Sequence, residues 1–335
     1  MRRDLAIDLG TANTLIYASG RGIVLNEPTV VALNRENGRV LALGNAAFEL
    51  IESTPGYVVA ERPLRRGAIS DFDMTQRYIR MLMEKVGVRR RIARTRVLIC
   101  IPSAITGVER RAVQDAAIGA GARSAYLIEE PVVAAIGAGL PIQDPIGNLI
   151  VDVGGGTSEV GVISMGGVVV DKSIRVGGFD IDDAITKYIR DRYSIVVGER
   201  TAEQIKIAIG SAFPLAEETT AEIKGRDLGT GLPKTIQISS EQVRAAIEEP
   251  VSQIIKAVVT ALAQTPPELG QDILTRGIAL TGGGGMLRGL DIRIAEECDV
   301  PVHLTDRPLE CVVRGAGKCL ETFHLVKDLF ATSNP

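Results

Sequence analysis

The sequence predicts an α/β protein made of two similar halves, and three observations carry that prediction. Residues 149–174 read LIVDVGGGTSEVGVISMGGVVVDKSI: an apolar strand ends in a lone acid, Asp152, and three glycines, Thr157 and Ser158 follow. A second apolar strand, a turn at Gly166–Gly167 and a third strand complete the pattern. Residues 5–17, LAIDLGTANTLIY, repeat the arrangement around Asp8, with a second turn at Gly20–Gly22 and the strand IVLN. Each copy is followed by alternating strands and helices, and VLICIP at 97–102 is a continuous apolar run of the kind buried on both faces of a sheet. A repeat that divides the chain near its middle is the mark of a duplicated unit, and 335 residues suffice for about two domains.

Taken in order, the pieces between the repeats read as follows. Residues 33–66 mix short apolar runs (VLALG, YVVA) with turn residues and suggest a small inserted subdomain. Asp73 is placed to cap a helix reaching about Val86, with Tyr78, Ile79, Leu82 and Met83 at helical spacing. Thr106 and Glu109 form a capping box for a helix ending at the glycines 119 and 121, AYLIEE is a strand, and Pro131 opens another helix. In the second half, FDIDDAITKYIRDRY and GERTAEQIKIAIGSA are helices, and residues 219–240 turn like a hairpin, within a second insertion spanning about 182–242. A long helix over about 241–264, a strand, a glycine turn and a helix (RGIALTGGGGMLRGL), the strand PVHL and a helix near 317–326 close the chain. The expected domains are residues 1–145 with 316–335, and 146–315.

Composition narrows the function. A net charge of −3, no Trp and 4% aromatic residues argue against nucleic acid as a partner. The four Cys (100, 298, 311, 319) form no CxxC, and the two His (303, 324) stand far from any Cys pair, so neither a disulfide framework nor a zinc site is expected. The chain enters a strand almost at once, and it has no apolar run near 18 residues. A cytoplasmic protein that can still lie against a membrane is the expectation.

The chemistry sits in the repeated turns. A lone carboxylate at the end of an apolar strand is costly unless compensated, and glycines let backbone amides approach a ligand closely. Phosphate with Mg²⁺ satisfies both features. The chain contains neither GxxxxGK[ST] nor GxGxxG, so a different phosphate-binding device is implied. Two halves with one phosphate loop each suggest a single nucleotide gripped from both sides.

IDLGTANTLIY, LIEEPVVAAIGAGLP, VDVGGGTSEVGVIS, GERTAEQIK, TGLPKTI and ALTGGGGMLRGLD, together with NEPTVVAL and TPPEL, resemble the bacterial actins of the MreB family. That family lies within the superfamily of actins, heat-shock chaperone ATPases and sugar kinases. The resemblance covers nearly the full chain. It implies an actin-like fold: two ribonuclease H-like domains, each with an inserted subdomain, and Mg·ATP in the interdomain cleft.

Carried over by residue, Gly10, Thr11, Ala12, Asn13 and Thr14 match the first phosphate loop, and Gly154, Gly155, Gly156 and Thr157 the second. Asp8 and Asp152 would hold Mg²⁺ through water, an ion that keeps most of its hydration shell. Glu130, with Thr157, matches the group that orients the attacking water; taken alone, Glu129-Glu130-Pro131 reads as helix N-terminal charge. Glu203 and Lys206 share a helix face and match residues at the ribose and base, although the pattern by itself is that of an exposed ion pair. Gly282, Gly283, Gly284, Gly285 and Met286 match the loop against adenine. The chain departs from the family pattern at Arg66-Gly67-Ala68, at Phe179 after a glycine pair, and at Gly285-Met286.

Val88, Arg89, Arg90, Arg91, Ile92, Arg94 and Arg96 form a basic loop, which alone reads as a solvated face; by resemblance it meets the membrane. At about 1 kcal/mol per basic residue near an anionic leaflet, five arginines give at most about 5 kcal/mol, a weak attachment that many copies in a filament would multiply. The resemblance thus implies a slow, filament-coupled ATPase that polymerises at the inner face of the membrane. It would direct peptidoglycan synthesis and rod shape with membrane partners such as MreC and RodZ. A small-molecule kinase and a chaperone ATPase are the alternatives; the first lacks an additional catalytic carboxylate motif, the second a peptide-binding domain.

Overall fold

A computed structural model describes residues 4–53, 56–69, 71–88 and 95–323. The chain divides into two compact units, Met1–Pro145 with Ile163–Val168 and Leu309–Pro335, and Ile146–Val162 with Val169–Pro308.

In the first unit, β1 (Leu5–Leu9), β2 (Asn13–Ala18) and β3 (Gly22–Pro28) form the meander. Then come β4 (Val31–Asn34), β5 (Val40–Leu43), α1 (Asn45–Ser53), β6 (Val58–Glu61), β7 (Leu64–Arg65), β8 (Ala68–Ile69) and α2 (Phe72–Lys85). After these follow β9 (Arg96–Ile101), α3 (Gly107–Ala120), β10 (Ser124–Glu129) and α4 (Glu130–Ala138). The main sheet has the order β10-β9-β1-β2-β3, with β1 antiparallel to β2 and parallel to β9, and β9 parallel to β10. Alternate residues Leu5, Ile7, Val97 and Ile99 pack on Tyr78, Ile79, Leu82 and Met83 of α2 and on Val113 and Ala117 of α3. The intervening Ala6 and Leu98 are also fully buried, as a strand covered on both faces requires. The insertion forms the sheet β5-β4-β6 under α1, with its own small core of Val30, Ala32, Ala47 and Val58. The capping box at Thr106 and Glu109 is present, and Gly121 ends α3 in a left-handed conformation.

Two local expectations are corrected here. The cap of α2 is Asp71, whose carboxylate accepts from Met74 N at 2.8 Å; Asp73 lies inside the first turn, where its charge complements the helix dipole. Val88 is buried in the core of this unit rather than exposed for a membrane contact, because the turn after α2 folds its side chain inward.

The second unit runs β11 (Asn148–Val153), β12 (Ser158–Ser164), β13 (Gly167–Ile174), α5 (Gly178–Tyr193), β14 (Ile195–Val196) and α6 (Glu199–Ile209). It continues with β15 (Thr220–Asp227), β16 (Pro233–Ser239), α7 (Ser240–Gln264), α8 (Pro267–Arg276), β17 (Ile278–Thr281), α9 (Leu290–Cys298) and β18 (Val302–Leu304). Its main sheet, β13-β12-β11-β17-β18, repeats the order of the first: the meander's third, second and first strands, then two parallel strands. The duplication is thus a property of topology as well as of sequence. The inserted hairpin β15–β16 pairs with β14 in a separate sheet.

The last helix among the described residues, α10 (Cys311–Glu321), begins six residues before the expected position and belongs wholly to the first unit. A domain boundary at 316 would cut it. Its start is set by α4, against which it packs so closely that a Cβ at Gly315 would strike the carbonyl of Val133, and one at Gly137 the carbonyl of Cys311.

Candidate functional site

In each unit the candidate residues stand at the carboxyl ends of parallel strands, where open α/β sheets bind ligands. Asp8 lies level with Cys100 of β9, which lies level with Ile128 of β10, so Asp8 and Glu130 share one edge of the sheet. Asp152 lies level with Thr281 of β17, and the glycine run begins at the next residue.

The first candidate phosphate loop is tied down from behind. Thr29 Oγ1 donates to Gly10 O at 2.7 Å, and Thr29 N donates to Ala12 O at 2.8 Å. In a planar trans peptide the N–H points opposite to its C=O, so the amides of Thr11 and Asn13 face away from Thr29. That is the side on which an anion would sit. The Thr29 and Thr14 hydroxyls lie 2.8 Å apart, and Tyr78 OH donates to Thr14 Oγ1 at 3.1 Å, continuing the support into α2. Burial pushes the Tyr78 phenol up to about 12, so it remains a donor. Thr11 itself accepts from Gly67 N at 3.1 Å. Gly10 has no room for a side chain, since a Cβ would lie 2.6 Å from Asn13 O and 3.7 Å from Asp8 Oδ1.

The second loop uses a different anchor to the same effect. Gly178 N donates to Gly154 O at 2.9 Å and Phe179 N to Gly155 O at 2.8 Å, which turns the amides of Gly155 and Gly156 outward. A Cβ at Gly177 would lie 2.7 Å from Gly154 O, so a glycine at 177 is required by the loop it backs, whereas a Cβ at Gly178 would meet that loop only at ordinary contact distance. Ser158, fully buried, donates to Val176 O at 2.8 Å, and Asp180 accepts from Gly177 N at 2.9 Å. Thr157 is buried, and its carbonyl accepts from Gly154 N at 2.9 Å to close the turn.

Asp8 is half-buried and Asp152 buried. Burial pushes the Asp8 carboxyl from the ordinary 3.8 up to about 7, the mark of a carboxylate whose charge this unit leaves uncompensated. A hydrated divalent cation fits such a donor. Among the described residues no cluster of three or more His, Cys, Asp or Glu forms.

Glu130 is the first residue of α4, followed by a buried Pro131, while Glu129 pairs with Arg110 at 3.4 Å. Glu203 is exposed on α6; Lys206, one turn on, reaches back to α5, 2.9 Å from the Asp182 carboxylate and 3.2 Å from Gly178 O. In the run of glycines, Gly282 has φ +83 and its Cβ would strike Asp152 and Val153 O; a Cβ at Gly284 would strike Val153. These two are therefore demanded by the end of β11, whereas Gly283 and Met286 are exposed.

Arg89, Arg90, Arg91, Ile92 and Arg94 lie outside the described residues. Arg96, grouped with them in sequence, is a structural residue: its guanidinium and backbone N bind the Asp4 carboxylate, and it stacks 4.4 Å over the Phe323 ring.

The family model described as MreB/Mbl protein matches residues 2–328. The chain belongs to the MreB/Mbl family. It is 47% identical over 319 residues to the cell shape-determining protein Mbl of Bacillus subtilis (strain 168), covering 95% of this chain and 96% of that one. It is 48% identical over 323 residues to the cell shape-determining protein MreB of Escherichia coli (strain K12), covering 95% and 93%. Crystal structures of MreB5 of Spiroplasma citri bound to ADP and to AMPPNP superpose with a TM-score of 0.91 at 38% identity, covering 98% of both chains. A MamK double helical filament structure matches at TM-score 0.82, 22% identity and 96% and 99% coverage, a likeness of fold. The fold is actin-like, as expected from the sequence, and this MreB/Mbl chain is a cell shape-determining, actin-like protein.

Thr29, the pair Gly177–Gly178 and Asp182 were not identified from sequence as site residues. Thr29 lies in NEPTVVAL and Gly177–Gly178 precede a helix, but no local pattern distinguishes a residue that braces a loop from one that merely turns the chain.

Proposed function

We propose that this MreB/Mbl chain binds Mg·ATP with one phosphate loop from each unit, hydrolyses it slowly, and polymerises into membrane-associated filaments. Those filaments organise peptidoglycan synthesis and maintain rod shape. The observation that carries the nucleotide reading is that both loops have their carbonyls bonded from behind and their amides turned outward, each beside a lone acid at a strand's end. The S. citri relative bound to ADP or AMPPNP supports it.

Amides of Thr11, Asn13, Gly155 and Gly156 would cradle the phosphates as anion nests. Asp8 and Asp152 would hold the hydrated Mg²⁺, which supplies charge neutralisation at the phosphates. Glu130, fixed at the start of α4, orients the attacking water with Thr157, since phosphoryl transfer asks the protein mainly for alignment. ATP binds the polymerising state more tightly than it binds the non-polymerising one, and that differential affinity drives assembly.

The arginines 89, 90, 91 and 94 attach the polymer to anionic lipid at the inner face of the cell membrane, and no helix among the described residues is long and apolar enough to cross it. MreC- and RodZ-type membrane proteins are the proposed partners. Nucleotide-dependent pelleting, with electron microscopy of the pellet, tests the central reading: filaments are expected with Mg·ATP. A chain that stays monomeric with Mg·ATP and lipid at high concentration refutes it. Liposome cosedimentation unchanged after replacing the four arginines by Ser refutes the membrane assignment.

A further inference from the structure

Asp182 is 5% exposed, on the buried face of α5 beside Ile181 and Ile185. A buried ion pair is poor evidence for stability, because apolar replacements of similar volume are often neutral or better. The reason for this one lies in what it holds. Lys206 Nζ lies 2.9 Å from the Asp182 carboxylate and donates to Gly178 O at 3.2 Å. Gly178 N is in turn bonded to Gly154 O of the second phosphate loop. The point that a Gly178 Cβ would occupy is 3.4 Å from Lys206 Nζ and 3.8 Å from Gly155 Cα, so Gly178 lies between the ammonium and that loop's flank. A lysine ammonium has three donors; Asp182 and Gly178 O take two.

We propose that Asp182 is a positioning residue of the nucleotide site: its carboxylate holds the Lys206 ammonium beside the second phosphate loop before the nucleotide arrives. The inference rests on the Mg·ATP reading above and assigns Lys206 a place fixed from behind rather than a free side chain on an exposed helix. A flexible lysine stem would otherwise spread its charge over solvent, and binding would have to collect it. Burial raises the Asp182 carboxyl to about 6 against the opposing pull of Lys206 on α6; Glu203 on α6 and Asp183 on α5 add to the rise. Above pH 6 the carboxylate is charged and the clamp is made, and below it a proton releases the ammonium.

The test is the affinity for a fluorescent ATP analogue with Mg²⁺ from pH 5 to 8. It compares wild type, Asp182→Asn, Lys206→Met and the double variant, with thermal melting of each nucleotide-free protein as the folding control. Asp182→Asn is expected to bind about tenfold more weakly at pH 7.5, and its ratio to wild type to approach one at pH 5. The ligand's own titration cancels in that ratio. The double variant is expected to match Lys206→Met, because Asp182 acts through the lysine. Equal affinity of Asp182→Asn and wild type at pH 7.5, a penalty independent of pH, or additive single effects overturns the proposal. Should Asp182→Asn fail to fold, Asp182→Glu keeps the charge but displaces it, and unchanged affinity in that variant overturns the proposal as well. Wild type that binds no Mg·ATP overturns the parent reading, whereas wild-type binding with an unaltered Asp182→Asn overturns this one alone.

Discussion

Replacing Gly315 by Ala asks whether α4 and α10 meet backbone to backbone, the contact that seats the helix bearing Glu130. A Cβ at Gly315 would lie 2.7 Å from Val133 C and 2.8 Å from Gly137 N, with the Val133 carbonyl oxygen closer still. Carbon contacts relax to about 3.5–4.0 Å and the carbonyl oxygen is the nearest obstacle, so the two helices must part by more than about 1 Å. Overpacking of that kind costs about 1–3 kcal/mol, and backbone on the far side leaves no rotamer that could relieve it. Ala gains about 1 kcal/mol of helix propensity over Gly, so the net loss is about 0–2 kcal/mol. Gly270, inside α8 with no heavy atom within 4 Å of its would-be Cβ, is the matched control, and Gly270→Ala should gain about 0.5–1 kcal/mol. Urea unfolding of the two variants without nucleotide reads both signs. A Gly315→Ala protein stabilised like Gly270→Ala would refute the packing argument, and with it the claim that α10 seats Glu130. In the surviving case ATP hydrolysis should also fall, since Glu130 moves with α4.

Three further outcomes follow from the loops. Thr29→Val removes the donor to Gly10 O and leaves that carbonyl without its partner, so stability should drop by about 1–3 kcal/mol and ATP affinity should fall, as measured by denaturation and titration. Gly177→Ala forces a Cβ against Gly154 O, and calorimetric titration should show weaker ATP binding with a smaller change in melting temperature. Chelation of Mg²⁺ should weaken ATP binding in wild type but have little further effect in Asp152→Asn, which separates the proposed metal role from simple loop packing; an equal loss in both would contradict it.

The local features of this chain could be read without coordinates. The capping box at Thr106, the apolar β9 and the proline start of α4 are set by neighbours within four residues, and each is present in the structure. The departures have both local and long-range causes. Asp71 and Asp73 both qualify as caps by type, and only the backbone of residue 71, extended at φ −145, decides between them. The start of α10 was missed because its first turns gain their stability from α4, which lies far away in sequence. Arg96 was grouped with a run of arginines that it leaves in order to bind Asp4.

What the sequence alone determined is the duplicated acid-and-glycine turn, because a carboxylate at the end of an apolar strand and glycines beside it are chemical statements wherever they occur. Tertiary structure decided which way those turns face. Thr29 behind one loop and Gly178 with Phe179 behind the other orient the amides through hydrogen bonds between segments apart in the chain, and nothing in their own neighbours encodes that role. It likewise decided that Gly282 and Gly284 answer to Val153, and that Lys206 answers to Asp182, because the identity of a contact partner exists only once the chain has closed on itself.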